Sequence, residues 1–165
     1  MKSIKIPIRY LPLTLTKKDK QRQLNMLNKS RKLYKKNKYY TRKQVKSYTS
    51  KPSKHIINAR KIYKLETIYP NKRLSRATGC SINALNKIVE KGEGAYYSSG
   101  SRPNQTAQSW GLARLASSIT GGKASAIDFN ILEEGCKHNK TAYLLAKKSK
   151  RKYGFGHSKT KKILV

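Results

Sequence analysis

Four side chains in one short stretch could hold an anion. Ser98, Ser99, Ser101 and Arg102 lie within GAYYSSGSRPNQTAQSWG, residues 94–111. Glycines at 92, 94 and 100 let successive backbone N–H groups converge, the serines donate hydroxyls, and the guanidinium adds charge. That set predicts a nest for a phosphate or for a partner's carboxylate. A structural reading competes with it. In that reading Tyr96 and Tyr97 pack beneath a buried Trp110, and the Ser, Asn and Thr side chains satisfy their own backbone. The stretch has neither the GxxxxGK[ST] frame of a nucleotide-binding loop nor the GxSxG frame of a hydrolase serine.

A second group is KKNKYYTRKQVKSYTSKPSKH, residues 35–55. Lys35, Lys36, Lys38, Arg42, Lys43 and Lys46 alternate with Tyr39 and Tyr40. Cations interleaved with aromatics suit a phosphate backbone with stacked bases, or an acidic protein surface; alternatively the tyrosines pack on neighbouring helices. A third is RLSRATGCSINALNKIVEKG, residues 73–92, which has the pattern of a helix-turn-helix. Gly79 supplies the turn, Ser81 caps the second helix, and Asn83, Asn86 and Lys87 lie where a groove contact would form.

Other chemistries find little support. The seven acids are scattered, and adjacent Glu133 and Glu134 point apart on a helix. Two cysteines, Cys80 and Cys136, do not make a disulfide framework. Together with His55, His138 and His157 they offer zinc ligand types without zinc spacing, so buried thiols and surface histidines are expected. No catalytic residue, metal, cofactor or small-molecule substrate is expected.

The elements that must position these groups follow from apolar spacing and charge. Residues 1–15 alternate Ile4, Ile6 and Ile8 before Pro12, an extended arm that seeks a sheet edge or groove. It has no continuous apolar core of a signal peptide, and no run is long enough to span a membrane. Thr16 caps a basic amphipathic helix over 17–35, with Leu24, Leu27 and Tyr34 on one face. Further helices are predicted at 56–64, 74–78, 82–91, 107–119, 123–134 and 140–152, with stops at Gly121 and Gly135. Ile127, Ile131 and Leu132 should face inward. The fold class is all-α.

Charge divides the chain. Residues 1–79 carry 24 basic residues and 2 acids, residues 80–136 carry 5 of each, and residues 137–165 carry 10 basic residues and none. The predicted organisation is therefore a basic arm over 1–73, a charge-neutral helical module over 74–136, and a basic helix and tail over 137–165. Leu, Ile, Val and Phe make up only 33 of 165 residues, so the arms are expected to be ordered by a partner.

Several stretches carry a resemblance. RYLP (9–12), LTKKDK (15–20), SRKLYKKNKYYTRKQVKS (30–47), SKHIINARKIY (53–63), ATGCS (77–81), GAYYSSGSRPNQTAQSWGLARLASSITGGKASAID (94–128) and EGCK (134–137) run nearly the length of the chain. On them it resembles a family of small basic proteins of large nucleocytoplasmic DNA viruses. The resemblance implies a non-enzymatic virion component and no catalytic residue. The expectation is a minor capsid, or cement, protein on the capsid's inner face, made in the virus factory and docking on acidic surfaces of other capsid proteins. The alternative is a sequence-nonspecific DNA-binding, genome-condensing protein.

Overall fold

The computed structural model describes residues 5–154 and 161–165; Ile4 and His157, named above, lie outside them. The protein is all-α apart from one short ribbon. The helices are α1 (Lys17–Lys35), α2 (Lys54–Tyr63), α3 (Lys72–Thr78), α4 (Ile82–Ser98), α5 (Ala107–Ile119), α6 (Lys123–Ile127), α7 (Phe129–Gly135) and α8 (Thr141–Tyr153), with strands β1 (Lys5–Pro7) and β2 (Lys162–Leu164).

The chain forms two compact units, and neither is continuous in sequence. One comprises residues 1–51, 93–110 and 159–165; the other comprises 52–92 and 111–158. The boundaries expected from charge, at 73 and 136, are therefore not the structural ones. Long-range packing of 93–110 with the N-terminal segment overrides them, and α4 and α5 each contribute to both units.

In the first unit the extended N-terminal segment finds its sheet edge in its own chain. β1 pairs antiparallel with β2, with Ile6 opposite Ile163, and the Ile8 N–H donates to the Lys161 carbonyl at 2.9 Å. Thr16 caps α1 as its sequence predicts, its hydroxyl accepting the Asp19 N–H at 3.2 Å. The Asp19 carboxylate in turn accepts the Ser47 N–H at 2.8 Å, and Ser47 holds that carboxyl below the usual range. The apolar stripe of α1 is covered internally. Leu27 packs with Ile6, Tyr10 and Leu11, with Leu24 and Trp110 alongside; Met26 packs with Leu15 and Val45, flanked by Tyr40 and Tyr48. Trp110 is only partly buried and meets the Tyr10 ring edge-on at 6.3 Å, so it does not roof Tyr96 and Tyr97.

The second unit has a larger core, centred on Leu74, Leu85, Ile88, Leu115, Ile119 and Leu132. α4 and α5 cross at a pair of glycines: a Cβ on Gly92 would lie 2.6 Å from Gly111 Cα, so only glycine permits this approach. Two expectations are corrected here. Cys80 and Cys136 are not free thiols but a disulfide, and they face each other in an isolated antiparallel bridge. The flanking bonds, Ser81 N–H to Gly135 O at 2.8 Å and Lys137 N–H to Gly79 O at 2.9 Å, fix the register that brings the sulfurs together. The helix expected over 123–134 is broken at Asp128, and Ile127 is exposed while Phe129 and Leu132 are buried.

Asp128 explains the break. The residue is only 1% exposed. It accepts hydrogen bonds from Arg114 Nε and Nη2 at 2.9 and 2.8 Å and from the Ser118 hydroxyl at 3.0 Å, and pairs with Lys91 at 3.1 Å. Burial pushes this carboxyl up, but Arg114 and Lys91 outweigh that and hold it below its ordinary value. A carboxylate whose pKa falls on folding stabilises the fold above its unfolded pKa, and that contribution is lost as pH drops through the folded one. The melting temperature should therefore fall on acidification below the ordinary aspartate range. Asp128→Asn should lower the melting temperature at neutral pH and flatten that acid slope, which thermal scans across pH would measure.

Candidate functional site

The polar residues of 94–106 meet the basic segment 35–48, and the meeting point is the C-terminal end of α4. A helix end leaves its last carbonyls without partners and carries partial negative charge. α4 runs on to Ser98, so residues 94–98 are helical and the irregular stretch is shorter than its composition predicts. Its terminal carbonyls are satisfied from elsewhere in the unit. Arg42 Nη1 donates to Tyr96 O at 2.8 Å, the Ser30 hydroxyl to Tyr97 O at 3.1 Å, and Arg31 to Ser99 O at 2.9 and 2.6 Å.

Arg42 is the centre of this arrangement. It is 6% exposed and has no carboxylate among its hydrogen-bond partners. Besides Tyr96 O, its guanidinium donates to Ser30 Oγ at 3.0 Å and to Ser101 Oγ at 2.8 Å, and lies 3.8 Å from the centre of the Tyr96 ring. Its own N–H donates to the Tyr96 hydroxyl at 3.0 Å. Burial lowers the Arg42 pKa, and nearby tyrosines partly oppose it. Burial also pushes the Tyr96 hydroxyl up, against the pull of Arg42. The negative end of α4 and the aromatic face take the place of a counter-ion.

Asn104 makes the second clasp. Held in the left-handed conformation (φ 63°), it accepts the Val45 N–H at 2.7 Å and donates to Val45 O at 3.2 Å and Tyr48 O at 2.7 Å. Its amide pairs with the 45–48 backbone as a neighbouring strand would. Gly100 (φ 130°) lets the loop approach α1: a Cβ there would lie 2.8 Å from Leu27. The SSGSRPN stretch is thus a receptor for this chain's own basic segment.

The expected site residues divide accordingly. Ser101 is fully buried and committed to Arg42, whereas Ser98, Ser99 and Arg102 are exposed, so the four do not converge on one point. Arg42, expected as an outward contact, is interior, because α4's carbonyls draw it in. Lys35, Lys36, Lys38, Lys43 and Lys46 are exposed, as is Tyr39; Tyr40 is half-buried, with Lys29 Nζ 4.4 Å from its ring centre. At the other expected contact, Gly79 takes the left-handed turn between α3 and α4, Ser81 caps α4, and Asn83, Asn86 and Lys87 are exposed. Sequence reasoning missed Ser30 and Asn104 as clasp residues. Polar side chains predict hydrogen bonds but not partners 56 to 67 residues away.

Both units are strongly basic. The first carries 21 basic residues against 2 acids, the second 18 against 5. No helix among the described residues is long and apolar enough to cross a membrane.

Fold and surface together define a basic, all-helical protein whose lysine-rich segment is held in place by a serine- and asparagine-containing loop. Residues 7–134 match the family of unknown function DUF5824, and the chain belongs to that family. No curated protein and no solved structure matches it.

Proposed function

We propose that this is a non-enzymatic structural protein of the virion of a large DNA virus, a minor capsid protein that docks on acidic surfaces of neighbouring capsid proteins. The observation that carries the reading is charge. With 39 basic residues and 7 acids, 32 positive charges cannot be neutralised within the chain, and both units share the excess. Such a body repels copies of itself and seeks a polyanion. The viral setting rests on the sequence resemblance. Exposed apolar residues among the cations, Leu13 at 79% together with Ile57, Ile62 and Tyr69, supply the desolvated anchors that protein interfaces use.

Its test is fractionation. Purified virions are opened with mild detergent and treated with nuclease. Retention with the empty shells at moderate salt supports the capsid role; release together with the digested DNA rejects it.

A second reading, sequence-independent binding to nucleic acid, is favoured by the lysine excess: 29 of the 39 basic residues are Lys, a point charge suited to phosphate contact without base readout. Here the affinity should fall steeply with salt, with a log–log slope of roughly −0.9 per contacted phosphate on duplex DNA. A titration series at rising salt checks it, and a salt-insensitive complex rejects it.

A further inference from the structure

We propose that Tyr39 and the lysines around it form a stacking platform for single-stranded nucleic acid. This rests on the nucleic-acid reading and specifies where an unpaired base would sit.

Tyr39 is 69% exposed yet held in position from both sides. On one side α1 ends in a tight cap. Asn37 adopts the left-handed conformation (φ 57°), its N–H donates to Tyr34 O at 3.0 Å, and the Lys38 N–H donates to Leu33 O at 2.8 Å. On the other side Arg42 is locked into the end of α4 through its backbone and its guanidinium. Only three residues separate these two fixed points. The Tyr39 ring leans on Tyr97 (centroids 5.1 Å apart) and on Tyr34 (6.2 Å); Tyr97 in turn meets Tyr96 edge-on at 5.0 Å. The result is a supported row of rings whose outermost member faces solvent.

A fixed, exposed aromatic adds little to stability, because most of its apolar surface stays wet. Its surroundings indicate what it is for. Residues 29–46 hold nine basic residues and no acid, and Lys35, Lys36, Lys38 and Lys43 are exposed within four positions of Tyr39 in the chain. Interiors of protein–protein interfaces are depleted in lysine. Proteins that bind single strands combine a cationic track for phosphates with aromatic faces for bases, and they are sequence-tolerant because every base has a π-face. A duplex offers phosphates to the same lysines but hides its base faces. The platform therefore discriminates between strands by stacking, over a background of charge that serves both.

The experiment uses the full chain with fluorescence anisotropy on a short labelled oligothymidylate and on a duplex of the same length, at one ionic strength. Tyr39→Ala should weaken oligothymidylate binding roughly 5- to 150-fold while leaving duplex affinity and melting temperature unchanged. Tyr39→Phe should bind as the native protein does, since stacking needs the ring and not the hydroxyl. Lys36→Gln with Lys38→Gln should weaken both ligands together and reduce the salt slope. If Tyr39→Ala leaves oligothymidylate binding intact, or weakens both ligands equally, the platform is rejected while the nucleic-acid reading stands. If the native protein binds neither ligand, the nucleic-acid reading itself is rejected. If Tyr39→Ala impairs binding to polyglutamate but not to oligothymidylate, the ring faces a protein and the proposal is overturned.

Discussion

Removing the Cys80–Cys136 disulfide should lower the stability of the second unit by about 4 kcal/mol. The two residues are 56 positions apart, so the bridge closes a long loop and withdraws a large share of the unfolded chain's freedom. Within that loop lie α4, α5, α6 and α7, which supply most of the core around Leu85, Ile88, Leu115, Ile119 and Leu132. Both cysteines are buried, so reductant alone should act slowly on the native protein and quickly once denaturant opens it. Urea unfolding followed by far-UV circular dichroism, with and without reductant, measures the difference. Cys80→Ala with Cys136→Ala should reproduce the reduced curve. Superimposable curves from oxidised and reduced protein would refute the assignment of a stabilising bridge.

Replacing Arg42 should be nearly as costly, and in the other unit. Arg42→Met keeps bulk and removes charge, leaving the Tyr96 carbonyl without its donor at the end of α4 and the Ser101 hydroxyl without one of its two partners. An orphaned buried carbonyl costs roughly 1–3 kcal/mol, and a desolvated cation–aromatic contact is worth about 2 kcal/mol, so the expected loss is about 3–5 kcal/mol. Arg42→Lys should recover only part of this, since one ammonium cannot span Ser30, Tyr96 and Ser101 as a planar fork does. Trp110 is the protein's single tryptophan and belongs to this unit, so its fluorescence reports the transition directly. An unchanged midpoint for Arg42→Met would show that the buried cation is not what holds the segment in place.

These two features were the least legible in the sequence, and for the same reason. α1, its Thr16 cap and the turn at Gly79 are fixed by neighbours within a few residues, and there periodicity and capping chemistry predicted what forms. A disulfide between two cysteines without motif spacing, or an arginine reaching Ser101 from position 42, depends on contacts that local pattern cannot encode. For the loop, residue types leave open an anion nest or polar groups that satisfy their own backbone, and neither pattern names Arg42 as the partner of Ser101. The group that Ser101 holds is a cation of the same chain, and the carbonyl end of α4 decides that sign. At Asp128 the apolar spacing of Ile127 and Ile131 suggested one continuous helix, whereas the ion pairs to Arg114 and Lys91 take the residue out of register. Charge distribution misled in another way. Unit boundaries follow packing, and apolar residues such as Leu27 and Met26 found their cover inside the chain.

The discontinuity of the first unit governs how the chain is made. Residues 1–51 leave the ribosome with the clefts for Arg42 and Val45 still unsynthesised, because the receiving stretch, 93–110, comes later. At about 5–20 residues per second that wait lasts roughly 3–12 s, and the second strand of the ribbon arrives later still. During that interval α1 has its apolar cover from Ile6, Leu11, Leu15 and Val45 at hand, but Arg42 has no acceptor at the end of α4 and Val45 no partner in Asn104. The first unit therefore cannot close as its chain emerges, and arrival of the SSGSRPN loop, which gathers in Arg42 and the 45–48 backbone, is the step that lets it do so.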